Sequence, residues 1–170
     1  IKSGDALVLA GSIPKSISSD IYCEILEKLS DKSILTVVDA TGELLKKSLK
    51  YNPFLIKPNR SELEELCGHK LETLDDISDA ARELKKAGAK NVLVSLGADG
   101  ALLVTEDNQV ICRKAVKGNV INSTGAGDSM VAGFICGWLE KGDYSHALDM
   151  GISAGSASTF SENLATKEEI

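Results

Sequence analysis

Short apolar runs rich in β-branched residues recur along this chain, and they constrain its fold more than any other feature. They are ALVLAGSI (6–13), SILTVVD (33–39), FLIK (54–57) and NVLVSL (91–96). Runs this short and this apolar read as buried strands. Segments of helical period lie between them. SSDIYCEILEKLSDK (18–32) carries Ile21, Ile25, Leu26 and Leu29 at helical spacing, with Ser and Asp available as caps. TGELLKKSLK reads as a short helix, and another opens at Asn59 and closes at Gly68. LDDISDAARELKKAG ends at Gly88 with lysines in its last turn, as the helix dipole favours. This alternation predicts a mainly parallel sheet with helices on both faces. After NVLVSL, GADG turns the chain into ALLVT and EDN turns it into QVICRKA, which adds a hairpin at one edge. Two helices, 126–140 and 145–159, follow with a break at Gly142-Asp143. No repeat or linker divides the 170 residues, so one α/β layer sandwich is expected.

Composition narrows the function classes. The formal net charge of -6 leaves no basic stripe, which argues against nucleic-acid binding, although a few local donors can still hold an anionic substrate. No stretch approaches the ~20 apolar residues of a membrane span. The opening residues IKSGDALVLAG lack the layout of a signal peptide, and a cytoplasmic protein is expected. Cys23, Cys67, Cys112 and Cys136 are scattered, without zinc or thioredoxin-like spacing, and read as reduced, mostly buried thiols. His69 and His146 have no metal-ligand spacing, and Trp138, among Phe134, Ile135 and Leu139, reads as core.

Chemistry concentrates in a few turns. INSTGAGDSMVAGF (121–134) sets Gly125, Ala126 and Gly127 at the entrance of a helix and follows them with Asp128. Backbone N–H groups in such a turn converge on an anion, and the helix dipole adds to them. The lysine of the common phosphate loop is missing, and so is the third glycine of the dinucleotide fingerprint. Two readings of Asp128 stand open here: a helix cap, or a base beside a cradle for phosphoryl charge. In FLIKPNRSELEEL (54–66), Lys57 ends a parallel strand, the edge where open α/β sheets bind ligands. Asn59 and Glu62 have the spacing of a capping box; alternatively, both orient waters on Mg²⁺. VSLGADGALLV (94–104) reads as a hairpin turn or as a nucleotide-lining strand end. GSIPKSIS (11–18) and VVDATGELL (37–45) likewise put polar residues after strands, with Ser12 and Asp39 as candidates, and turn or cap is the preferred reading of each.

In order, AGSIPKSIS, VVDATGELL, NPFLIKPNRSELEEL, VSLGADGALLV, INSTGAGDSMVAGF and AGSASTFSENLAT resemble the PfkB-type, ribokinase-like sugar kinases. Within that family the resemblance is to the branch that phosphorylates fructose 1-phosphate, and Asn122-Ser123, where many members carry Asp-Thr, fits that branch. The resemblance covers almost the whole chain. It implies a three-layer α/β/α sandwich that lacks the family's N-terminal part and β-sheet lid. Residues 1–170 are then the C-terminal, ATP-binding and catalytic portion of the kinase domain. It further implies that Asp128 is the base that takes the proton of the attacking sugar hydroxyl, and that Gly125, Ala126 and Gly127 are the anion hole. Lys57 matches the ATP-contacting lysine, Asn59 and Glu62 the Mg²⁺-associated NxxE element, and Ser95, Gly97, Ala98, Asp99 and Gly100 the segment bordering the nucleotide. The implied partners are ATP, Mg²⁺ and a hexose phosphate, with homodimer formation by the full-length enzyme. Tagatose 6-phosphate and fructose 6-phosphate are the alternative substrates; a non-catalytic nucleotide-binding module is the alternative of another class.

Overall fold

Six strands form one sheet in the order β1-β2-β3-β4-β5-β6. They are β1 (Ala6–Ala10), β2 (Leu35–Asp39), β3 (Leu55–Ile56), β4 (Asn91–Ser95), β5 (Ala101–Val104) and β6 (Val110–Arg113). The structure is a computed structural model and describes residues 1–14 and 16–170; Lys15, within AGSIPKSIS, lies outside the described residues. The chain divides into two compact units, Ile1–Val94 with Leu103–Val110, and Ser95–Leu102 with Ile111–Ile170.

In the first unit β1, β2, β3 and β4 pair in parallel. Each parallel step needs a crossover, which the chain supplies as helices. They are α1 (Ile21–Lys28), α2 (Gly42–Ser48), α3 (Arg60–Cys67) and α4 (Leu74–Lys86). Val37, Val38, Leu55, Ile56, Val92, Leu93 and Val94 are fully buried, as uninterrupted apolar runs require. The first run departs from that reading. Leu9 is buried but Val8 is 42% exposed, because β1 is an edge strand. Helix α4 buries Ile77, Ala80, Ala81 and Leu84, one stripe at helical spacing. In its last turn the Lys85 ammonium donates to the Thr105 carbonyl, the Glu106 carbonyl (3.0 Å) and Asn108 Oδ1 (2.7 Å). Burial lowers the Lys85 pKa.

In the second unit α5 (Ala126–Lys141) and α6 (Tyr144–Phe160) form a helical hairpin, with Phe134 and Leu148 fully buried. Gly142 ends α5 in the left-handed conformation, and Asp143 caps α6 by accepting from the His146 amide at 2.7 Å. Arg113 ties β6 to α6 through Asp149 (2.9 Å) and Ser145 (2.6 Å). His146 also contacts Glu140 at 2.8 Å, a helix-end role. Two expectations need correction. Only Cys23 is buried; Cys112 lies on the edge strand β6 and is exposed, as is Cys136 on α5. Trp138 is half-buried and stacks on Tyr144 with ring centroids 4.5 Å apart. Among the described residues no helix is long and apolar enough to cross a membrane.

Candidate active site

Register brings the first pair of chemical groups together. Val38 of β2 pairs with Ile56 of β3, so the next residues, Asp39 and Lys57, emerge side by side at the C-terminal ends of the strands. The Lys57 ammonium lies 3.3 Å from the Asp39 carboxylate, and Lys57 is only 6% exposed. The Gly11 amide donates to the Asp39 carbonyl at 3.0 Å. The Tyr22 hydroxyl donates to the carbonyls of Ala10 (2.6 Å) and Gly11 (3.2 Å). Burial, and then the negative field of Asp39, raise the Tyr22 pKa, so this phenol stays a protonated donor. The reading of Asp39 as a turn or cap residue is thus replaced by a buried ion pair. Only the strand register, which single residues do not reveal, could have signalled it.

Two residues further on, Asn59 and Glu62 close a capping box. The Glu62 amide donates to Asn59 Oδ1 (2.9 Å) and the Asn59 amide to Glu62 Oε2 (2.8 Å). The box leaves the Asn59 amide group and the second Glu62 oxygen available. Among the described residues no group of three or more His, Cys, Asp or Glu side chains could hold a metal. The second Glu62 oxygen is an acceptor of the kind that suits a water retained by Mg²⁺, the Asn59 NH2 group can only donate, and no direct cage forms among the described residues. Beside them Arg60 Nε is buried and has no hydrogen-bond partner among the described residues. An orphaned donor of this kind is costly unless an acceptor meets it.

The Gly97–Ala98–Asp99 turn of the second unit is one turn of 3-10 helix, exposed throughout. The Leu96 amide donates to the Gly100 carbonyl at 2.8 Å and closes it. Gly100 is explained by packing, since a Cβ there would stand 2.0 Å from the Arg113 carbonyl oxygen. Ser95, at the end of β4, is half-buried.

The entrance of α5 differs from that of α3. Gly125 is its N-cap at φ +79, a conformation open to glycine at little cost, and no side chain caps the helix. The Thr124 amide donates to Asn122 Oδ1 (3.0 Å), Ala126 N to the Ser123 carbonyl (3.3 Å) and Ser129 N to the Gly125 carbonyl (2.9 Å). Among the described residues the Gly127 and Asp128 amides have no partner, and the exposed Asp128 carboxylate makes no hydrogen bond or ion pair. The cap reading of Asp128 is therefore not realised. What stands at the positive end of the α5 dipole is a pair of open amides with a free acid among them.

Residues 1–170 match the pfkB family carbohydrate kinases in full, and the chain belongs to that family. It is 40% identical over 168 residues to the 1-phosphofructokinase of Bacillus subtilis, covering 99% of this chain and 55% of that one. The phosphofructokinase-2 of Escherichia coli in complex with fructose-6-phosphate superposes with a TM-score of 0.89 at 33% identity, covering 99% of this chain and 55% of that one. Ribokinase of Arabidopsis thaliana, complexed with ribose and ATP, gives 0.80 at 25% identity, covering 93% and 50%. The chain spans about half the length of the curated relatives it matches. The fold is thus the ribokinase-like α/β fold expected.

Proposed function

We propose that this chain is the C-terminal, ATP-binding and catalytic portion of a kinase that transfers the γ-phosphoryl group of ATP to fructose 1-phosphate. The products are ADP and fructose 1,6-bisphosphate. The observation that carries the proposal is the uncapped start of α5, where a solvent-facing Asp128 adjoins open amides in a family of carbohydrate kinases. Asp128 takes the proton of the attacking sugar hydroxyl as the O–P bond forms. The backbone of Gly125, Ala126 and Gly127 receives the charge that develops on the transferring phosphoryl oxygens. Lys57 meets nucleotide phosphate, Asn59 and Glu62 hold Mg²⁺ through water, and Ser95 with the Gly97–Gly100 turn borders the nucleotide. Mg²⁺, when bound, neutralises charge on the phosphate oxygens. Positioning and electrostatics supply most of the rate in such transfers.

The sugar is chosen by the name of the B. subtilis relative. The fructose-6-phosphate in the E. coli structure favours a second reading, 6-phosphofructokinase. A coupled ADP-release assay on the complete enzyme, across fructose 1-phosphate, fructose 6-phosphate and tagatose 6-phosphate, decides among them. Fructose 1-phosphate is expected to give the highest kcat/KM. Nucleotide binding without turnover on any hexose phosphate would leave only a binding module.

A further inference from the structure

We propose that Asp39 is a positioning residue, whose carboxylate fixes the Lys57 ammonium at the C-terminal edge of the sheet in the orientation that meets nucleotide phosphate. This rests on the reading of Lys57 as an ATP contact and deepens it, because it gives a task to the acid that pairs with the lysine.

The argument begins with the backbone. β2 and β3 pair in parallel at Val37–Leu55 and Val38–Ile56, and the same register carries Asp39 alongside Lys57. The backbone of the acid is held in that place. Its carbonyl receives the Gly11 amide at 3.0 Å, which continues the β1–β2 ladder one residue past Ala10. A lysine ordinarily swings a compact charge on a flexible four-carbon stem. Here the side chain is 7% exposed, and the 3.3 Å contact with Asp39 fixes its charged end. Asp39, at 16% exposure, is the outer member of the pair. Among the described residues Tyr22 also lies close enough to feel the charge of Asp39, and its hydroxyl is occupied in donating to the Ala10 and Gly11 carbonyls.

Stability alone does not account for two charges here. A buried ion pair is often no better than a well-packed apolar pair, since desolvation offsets attraction. The pair also sits at the strand ends where open α/β sheets bind ligands. A lysine held in place before ligand arrives loses less freedom on binding, which is the benefit of preorganisation.

The experiment measures Mg-ATP dissociation constants by calorimetry, KM for ATP, kcat and melting temperature in the complete enzyme. The variants are Lys57→Met, Asp39→Asn, Asp39→Glu and the double Asp39→Asn/Lys57→Met. Each of the first two is expected to weaken Mg-ATP binding about tenfold, the loss of one charge-assisted contact. The double should bind no more weakly than Lys57→Met, with kcat at saturating ATP changed far less than KM. Asp39→Glu keeps the charge but displaces it, and should weaken binding while melting close to the unchanged protein. Additive losses in the double would mean that Asp39 acts by its own contact and would overturn the proposal. Wild-type affinity in Asp39→Asn, with Lys57→Met weakened, overturns it while sparing the nucleotide reading. Should Asp39→Asn not fold around an unpaired buried lysine, wild-type affinity in Asp39→Glu overturns it equally. Wild-type affinity in Lys57→Met removes the lysine from the nucleotide reading and this proposal with it.

Discussion

Helices α3 and α5 treat their first free amides in opposite ways. At α3 the Asn59 and Glu62 side chains exchange hydrogen bonds with each other's backbone and close the entrance. At α5 no described side chain caps the helix, and two amides and an acid are left without partners among the described residues. The reason lies in what each helix buries. α3 is eight residues long and fully buries only Leu63, so its cap is a large part of what holds it. α5 is sixteen residues long and buries Val131, Phe134 and Ile135, so its packing holds it without a cap. A helix anchored by its core can leave its N-terminus to a ligand; one anchored by its cap must use that end for itself.

The largest effect that tests this contrast is on turnover. Asp128→Asn is expected to lower kcat by about 10²–10⁴-fold, the usual contribution of a general base, with Mg-ATP affinity nearly unchanged. The melting temperature should stay near wild type, because an exposed acid without a partner adds little stability. A variant that melted early yet turned over normally would make Asp128 a cap after all, and the contrast with α3 would collapse.

Next comes the turn itself. Gly125→Ala forces a Cβ into the left-handed region, at a cost of about 1–2 kcal/mol. That Cβ would also stand 2.5 Å from Leu164 Cδ2, a flexible tip that can shift. Gly68, which ends α3 at φ +78 with nothing within 4 Å, is the matched control. Both variants should lose similar stability in denaturant unfolding, but only Gly125→Ala should lose turnover beyond it.

How much of this was legible in the residues differs between the same two regions. The α3 box was readable because Asn59 and Glu62 satisfy each other through a fixed three-residue spacing. The Gly68 end and the Gly142-Asp143 break were equally local, and each lies where the pattern put it. The α5 entrance left cap and base open, because an acid two or three residues into a helix serves either role until its contacts are seen. The Asp39–Lys57 pair was invisible, since it depends on the register of two strands sixteen residues apart in sequence. Exposed Cys112 was misread for a related reason: an apolar run does not reveal which strand lies at the edge.

The next smaller effect separates capping from binding at α3. Asn59→Ala removes one side of a box and should cost about 1 kcal/mol. Thr73→Ala at the start of α4 removes the same chemistry, since Thr73 and Asp76 form a second reciprocal box. The two should destabilise alike. Mg-ATP affinity should fall only for Asn59→Ala, if that residue serves the nucleotide as well as the helix. Equal, unchanged affinities would make α3 a plainly structural entrance and sharpen its opposition to α5.

The smallest effect is in acid. The Asp76 carboxylate accepts from the Thr73 amide at 2.8 Å and the Glu72 amide at 3.1 Å. These bonds, the Thr73 backbone bond foremost, hold its pKa below the ordinary carboxylate value. A depressed folded pKa contributes stability that is complete above the unfolded value, about 3.9 for Asp. That contribution drains away as pH falls through the lower folded value. Wild type should therefore melt above Asp76→Asn by a constant margin from about pH 5 upward, and the margin should shrink below about pH 4. The amide of the variant can still accept a hydrogen bond, so the margin reports the charge alone. A margin that persisted unchanged through the acid range would mean that α4 is closed by geometry and that the charge at its entrance is incidental. Closed entrances would then owe nothing to their acids, and the free acid at α5 would be the more distinctive for having one at all.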